Sequence, residues 1–349
     1  MMNSAESERR FAAQQEFLGC DKTVNRTQPL VSISVTTFQQ RAYIRQCLDS
    51  ILMQRTSFPF EIIIGEDESS DGTREICIEY ARAHQERIRL FLRSRSVSTY
   101  DVNGTTKSAN GIWCRRTARG EFVALCEGDD YWTCPDKLQK QVDFLERHRD
   151  CSMSFHNAVL VGESTGAGRT VYDETVRGSY ELADLFPWNW IYTASVMYRR
   201  SALPKRVPDW YFGMPMFDWP TFILIARSGR LGYIPDVMSA YRVHGGGVWS
   251  RLTASERTGR SVQAGEVLLT HLRCDSPRFA EARAALREAM LEYYVSEGHE
   301  RSAGKHAWKL LRYTLRTKLF DLHSLSRADL RNVSRWLGIV LRGRSPVPR

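Results

Sequence analysis

Residues 121–132 read EFVALCEGDDYW, and residues 135–147 continue as PDKLQKQVDFLER. The first six residues form a short apolar run of strand length. An acidic cluster follows it without a spacer. The periodic segment after it reads as a helix opened by Pro135, whose fixed φ and missing N–H suit a first turn. A strand that ends directly in carboxylates points to a ligand edge, because open α/β sheets bind ligands beyond the carboxyl ends of their strands.

The same grammar recurs upstream. Residues 30–36 (LVSISVT), 60–65 (FEIIIG) and 88–92 (IRLFL) are β-rich runs. Between them, 41–54 place Ile44, Leu48, Ile51 and Leu52 at helical spacing, and 73–87 follow with Ile76, Ile78, Tyr80 and Ala83. Strand and helix alternate, which predicts an open, mostly parallel sheet flanked by helices. The cluster EDESSDGT at 66–73 also follows a strand, so both acidic clusters are expected at one sheet edge. Further strands are expected at 152–161 and 194–200, a loop-like aromatic surface at 204–220, and a hairpin edge over 232–243. From about 253 the pattern turns helical, over 255–272, 278–296, 301–319 and 329–342. The domain reading is an N-terminal extension (1–28), a catalytic domain (29–250) and a helical, basic C-terminal region (251–349).

The 349 residues carry 49 Lys and Arg against 40 Asp and Glu, a net charge of +9. Residues 301–349 alone hold 12 bases and two acids, so the body is near neutral. A basic coat for nucleic acid is therefore not expected, and no nucleic acid partner is assigned. The eight cysteines include no CxxC pair and no zinc spacing, and read as free thiols in a reducing compartment. No run of 18 apolar residues and no secretory leader is present, so a cytoplasmic location is expected. The absence of GxGxxG after the first strand excludes a dinucleotide oxidoreductase. Adjacent Asp129 and Asp130, with Glu127 nearby, repel one another unless turn solvation, capping or a divalent cation relieves them.

In their order, VSISVTTFQQ (31–40), EDESSDGT (66–73), CEGDDYW (126–132) with PDKLQKQVDFL, and YRVHGGGVWS (241–250) resemble family 2 of the inverting glycosyltransferases, which have the GT-A fold. The late motif resembles a bacterial EGDD/YRxH-type subgroup. The likeness spans about 31–250.

The resemblance implies a nucleoside-diphosphate sugar donor, UDP- or dTDP-linked, and Mn2+ or Mg2+. It places Thr36, Glu66 and Asp67 at the nucleotide, with Asp67 receiving a base N–H. It implies Asp129, Glu127 and His244 as metal ligands, Asp130 at the sugar or ribose, and Arg242 at the diphosphate. Residues 106–119 resemble a donor-facing helix that carries Lys107 and Arg115. Asp218 in MFDWP is the expected general base, with Asp209 as the alternative. Trp188, Trp190 and Asn157 are expected on the acceptor side. The acceptor is a saccharide, a lipid-linked sugar, a protein or a small molecule, and bacterial glycan synthesis is the implied setting. Trp249 reads either as a flap over the donor or as plain packing.

Two other functions compete. A nucleotidyltransferase needs a Gly-rich basic loop after its first strand, and TTFQQRAY has none. A scaffold that keeps the fold without turnover would not need Asp67, Asp129, Asp218 and His244 together. The C-terminal helices carry apolar stripes among bases: Trp308, Leu311, Leu315 and Leu319, then Val333, Trp336, Leu337, Val340 and Leu341. Such stripes serve an anionic membrane surface, at its inner face, or pack internally or against a second copy in a homodimer.

Overall fold

A computed structural model describes residues 2–318 and 327–342, apart from 103, 163, 164, 174, 177, 187, 274 and 275. The expectations for Leu319 and Cys274 lie outside the described residues, as do the side chains of Leu315 and Leu341. The chain divides into two compact units. The first comprises Met1–Glu181, Trp190–Gly213 and Pro220–Arg251, and the second Leu182–Asn189, Met214–Trp219 and Leu252–Arg349.

The first unit begins with α1 (Ser4–Ala12) and α2 (Thr23–Arg26). The alternating part follows as β1 (Val31–Thr37), α3 (Ile44–Leu52), β2 (Phe60–Glu66), α4 (Thr73–Ala83) and β3 (Ile88–Leu92). Then come α5 (Arg95–Ser98), the hairpin β4 (Thr99–Val102) and β5 (Thr105–Ser108), α6 (Asn110–Thr117), β6 (Phe122–Glu127), β7 (Tyr131–Trp132) and α7 (Lys137–Arg147). The remainder is β8 (Cys151–Gly162), β9 (Thr165–Thr170), β10 (Ser179–Tyr180), β11 (Met197–Arg199), α8 (Asp218–Ala226), whose first two residues fall in the second unit, and β12 (Arg230–Val243).

The main sheet runs β10-β12-β8-β11-β6-β1-β2-β3, with β7 on β12 and β9 on β8. β6, β1, β2 and β3 are mutually parallel. Antiparallel β11 joins them to β8. Every residue of β2 is buried, as befits a strand covered on both faces. Its one early charge, Glu61, is ion-paired with Arg89 at 3.2 Å and Arg119 at 2.6 Å, and accepts a hydrogen bond from Ser32 Oγ. Burying that carboxylate without such partners would be costly. Ile44, Cys47, Leu48 and Ile51 of α3 are buried in the core formed with β1, β2 and β6.

Four expectations are corrected. Residues 232–243 do not form a hairpin edge: β12 is one 14-residue strand inside the sheet, parallel to β8. The segment 204–220 is not an aromatic surface, since Tyr211, Phe212, Met214 and Trp219 are buried. Lys107 is not on a helix; it lies on β5, opposite Tyr100. The N-terminal extension is helical over Ser4–Ala12 and Thr23–Arg26 and is part of the first unit, where Ser7 Oγ accepts Trp113 Nε1–H at 3.0 Å and Glu16 pairs with Lys22 and Arg89.

The second unit contains α9 (Ala254–His271), α10 (Pro277–Ser296), α11 (Glu300–Lys318) and α12 (Arg327–Arg342). Thr253 and Glu256 form a capping box at the start of α9. Leu291, Leu310, Leu311, Trp336, Ile339 and Val340 share one core. The described stripes of α11 and α12 thus bury their apolar faces within this unit, while Trp308 and Leu337 stay exposed. No helix among the described residues is long and apolar enough to cross a membrane.

Candidate active site

Strand register assembles the site. Thr36 of β1 is level with Gly65 of β2 and Glu127 of β6. Three parallel strands therefore deliver Thr36, Glu66 with Asp67, and Glu127 to Asp130 to one edge, at their carboxyl ends. Gly65 permits close approach of α6: a Cβ there would sit 2.0 Å from Asn110 Oδ1, and Asn110 Nδ2 donates to the Gly65 carbonyl at 2.8 Å.

Asp67 is buried and accepts from Ser98 Oγ at 2.5 Å and Arg95 Nη1 at 3.0 Å. Arg95 in turn lies 4.0 Å over the exposed ring of Phe38. Glu66 is fully buried and serves the loop itself. Its Oε1 accepts Ser69 N–H at 2.7 Å, and its Oε2 pairs with Arg74. The two neighbouring acids thus differ: Glu66 braces the 66–73 loop, whereas Asp67 is held by partly exposed Arg95.

His244 Nε2 lies 3.2 Å from Asp129 Oδ2. Its ring packs 4.5 Å from that of Tyr43. Arg242 donates through its backbone N–H to Asp130 Oδ1 at 2.9 Å, and its guanidinium reaches the Asp129 carbonyl and Gln46 Oε1. It is sandwiched between Tyr131 at 4.5 Å and Tyr43 at 5.1 Å. Burial, reinforced by the charge of Asp129, pushes the Asp130 carboxyl well up from its ordinary range. Glu127 ends β6, and its carbonyl accepts Asp130 N–H at 3.0 Å.

Among the described residues, no three His, Cys, Asp or Glu side chains gather as a metal cluster. Asp129 and His244 converge, and Glu127 does not complete a triad with them. One carboxylate and one imidazole fit a divalent cation that takes its other ligands from phosphate and water.

Gly128 is a second close approach at this edge. A Cβ would lie 2.5 Å from Gln40 Oε1 and 2.8 Å from Thr37 Oγ1. Both oxygens are buried without a hydrogen-bond partner. Such orphaned acceptors are uncommon and favour a ligand or water beside them.

The remaining residues have partners of their own. Arg115, on α6, donates from Nη2 to Tyr211 Oη at 3.0 Å, and Tyr211 bonds Thr221 Oγ1 at 2.6 Å. Asn157 is buried, accepts Ala158 and Tyr172 N–H, and donates to the Tyr172 carbonyl. Trp190 belongs to an aromatic cluster with Phe155 at 5.2 Å and Tyr180 at 4.7 Å. Trp188, by contrast, is 58% exposed in the second unit. Trp249 is half-buried. In the second unit, Asp218 opens α8, accepts Asn189 Nδ2–H at 2.8 Å, and accepts Trp219 N–H through its other oxygen. The alternative, Asp209, accepts Ser4 N–H at 2.8 Å. Sequence reasoning missed Arg95, Ser98, Gln40, Gln46 and Tyr43. Only Tyr43 carried a signal, as the residue before a periodic helix.

The mixed sheet with acidic strand ends defines a GT-A-type domain. Residues 32–205 match the model of glycosyl transferase family 2, and this domain belongs to that family. The uncharacterized protein Rv1520 of Mycobacterium tuberculosis is 36% identical over 219 residues, which are 63% of this chain and 60% of that protein. The chain thus matches less than two thirds of that relative's length. S. aureus TarS, solved with UDP-GlcNAc, superposes with a TM-score of 0.55 at 17% identity over 90% of this chain and 92% of TarS. The mannosyltransferase PcManGT of Pyrobaculum calidifontis, solved with GDP-Man and Mn2+, gives 0.50 at 16% over 97% and 93%. At these identities the two structures speak for the fold alone.

Proposed function

We propose that the protein is a metal-dependent inverting glycosyltransferase of the EGDD/YRxH type, which transfers sugar from a UDP- or dTDP-linked donor to a hydroxyl acceptor in bacterial glycan synthesis. The observation that carries this reading is the convergence of Asp129 and His244 beside Arg242, at the edge that also presents Asp67 and Thr36.

Asp67 accepts the imide N–H of the base, and Thr36 borders the ribose. Asp129 and His244 would hold Mn2+ or Mg2+, which when bound neutralises developing charge on the leaving diphosphate. Arg242 adds a fixed cation on the same side, pre-oriented by two aromatic faces and by Gln46. Asp218, oriented by Asn189, removes the proton from the acceptor hydroxyl as that oxygen attacks the anomeric carbon. The donor's glycosidic oxygen leaves with the nucleoside diphosphate, and no covalent enzyme intermediate forms. Trp188 offers an aromatic face to the acceptor. Any contact with an anionic membrane rests on the bases of the C-terminal region and on exposed Trp308 and Leu337, since the rest of its described apolar stripes is packed internally.

The test is a thermal-shift screen of nucleotide sugars with and without Mn2+, followed by transfer assays. A ligand that binds only the native state raises the melting point. A metal-enhanced shift with one uridine or thymidine donor is expected. No shift with any nucleotide sugar would sink the proposal.

A further inference from the structure

A cavity of about 470 Å3 lies within the first unit, under α1, beside α6 and the segment after β11. Its volume is in the range of small-molecule sites, about 300–1,000 Å3. Its accessible apolar lining is Ile112, Leu203 and Pro204, backed by Trp113, Tyr198 and Phe212, which are each no more than 1% exposed and make that lining firm. Helix α1 is fixed over this floor by the Trp113 to Ser7 hydrogen bond.

The rim is cationic. Arg116, Arg200 and Lys205 line it, and Arg115 lies on the inner wall, against Glu8 as the one lining carboxylate. Glu8 compensates little of this charge. Its contacts with Arg116 are both 3.5 Å long, and Arg116 Nε is buried without a hydrogen-bond partner. Arg200 and Lys205 are exposed. Arg200 is anchored through Nε to the Gly120 carbonyl at 2.6 Å. Gly120 precedes β6, so the mouth opens at the end of that strand opposite Glu127. At about 3.3 Å per residue, the two ends lie roughly 20 Å apart.

An apolar floor under a ring of loosely paired cations recognises one chemistry: an aliphatic body that ends in an anion. We propose that this cavity binds a single-chain aliphatic phosphate, its chain on Ile112, Leu203 and Pro204 and its phosphate between Arg116, Arg200 and Lys205. Arginine forks suit phosphate oxygens, and excluding water from the chain adds apolar burial. The cavity's mouth opens away from the donor edge, although Arg115 of the inner wall approaches Thr36, and the proposal does not depend on the glycosyl-transfer reading.

The experiment is calorimetry on the full chain with four probes: decyl phosphate, inorganic phosphate, decanol and UDP. Decyl phosphate, kept below its micelle concentration, should bind saturably at one site. Inorganic phosphate and decanol should each bind at least about tenfold more weakly, the equivalent of 1.4 kcal/mol. Saturating UDP should leave decyl phosphate binding unchanged. The pair Arg116→Gln and Lys205→Gln should weaken decyl phosphate about tenfold or more and leave decanol as it was. Should that variant not fold, salt on the native protein serves instead: raising it must weaken decyl phosphate and not decanol. Equal binding of decanol, equal binding of inorganic phosphate, displacement by UDP, or insensitivity to both charge removal and salt would each overturn the proposal.

Discussion

His244 Nε2 stands 3.2 Å from Asp129 Oδ2, although 115 positions separate them in the chain. The pairing is produced by the sheet. Asp129 follows β6, His244 follows β12, and β7, immediately after Asp130, pairs antiparallel with β12 through Trp132 and Ser239. This short bridge ties the acidic turn to the histidine.

That bridge makes the metal testable. Asp129→Asn or His244→Ala should weaken Mn2+ binding, measured by electron paramagnetic resonance with UDP present, by more than about tenfold; even outer partners of ligands cost about 10–100-fold. Unchanged Mn2+ affinity in both variants would remove these residues from the metal site.

Asp218→Asn should lower turnover by about 10²–10⁴-fold, the scale of general base catalysis. Donor affinity by calorimetry should stay the same. Asn189→Ala, which removes the 2.8 Å hydrogen bond to Asp218, should give a smaller loss in turnover with donor affinity again unchanged. Collapse of donor binding in Asp218→Asn would move that residue out of the base role.

Gly128→Ala tests the tight packing at the donor edge. The added methyl meets Thr37 and Gln40 within 2.8 Å, and overpacking of this kind costs about 1–3 kcal/mol. Donor affinity should fall by about tenfold while the melting point changes by only a few degrees. A variant that binds the donor normally would show that this turn does not contact it.

Lys137 supplies a pH signature. It is fully buried, with Nζ 2.7 Å from Gln141 Oε1 and 3.9 Å from the Trp132 ring centre. The ring face favours the charged amine, but burial outweighs it and lowers the pKa to about 7. Between about pH 7 and 10.5, the unfolded chain therefore carries a proton that the native state has lost. The contribution of Lys137 to stability should rise with pH across that window, since stability rises wherever the unfolded state binds more protons. Lys137→Met should flatten the slope in a denaturant series. An unchanged slope would show that Lys137 stays charged in the fold.

Short-range patterns in the sequence were enough for the frame. β3 occupies the residues its apolar run predicts, and α4 and α7 follow the spacing of Ile76, Tyr80, Leu138 and Val142. The acidic clusters sit at strand ends because they follow strands directly. A period of two or 3.6 is encoded within a window of about a dozen residues, so such features need no knowledge of the rest of the chain.

Tertiary packing decided the use of each polar group. Glu66 and Asp67 are neighbours of like chemistry, yet one braces a loop through Arg74 and the other is held by Arg95 and Ser98. Asn157 and Trp190, the acceptor-side expectations, are held by Tyr172 and by Phe155. Lys107 left its expected helix because 105–108 pairs with 99–102. The sequence alone established a parallel α/β domain with carboxylates at its strand ends. Which carboxylate meets His244 was decided by insertion of β11, β8 and β12 beside β6, because long-range strand order is set by the burial of whole faces and leaves no mark in any short window.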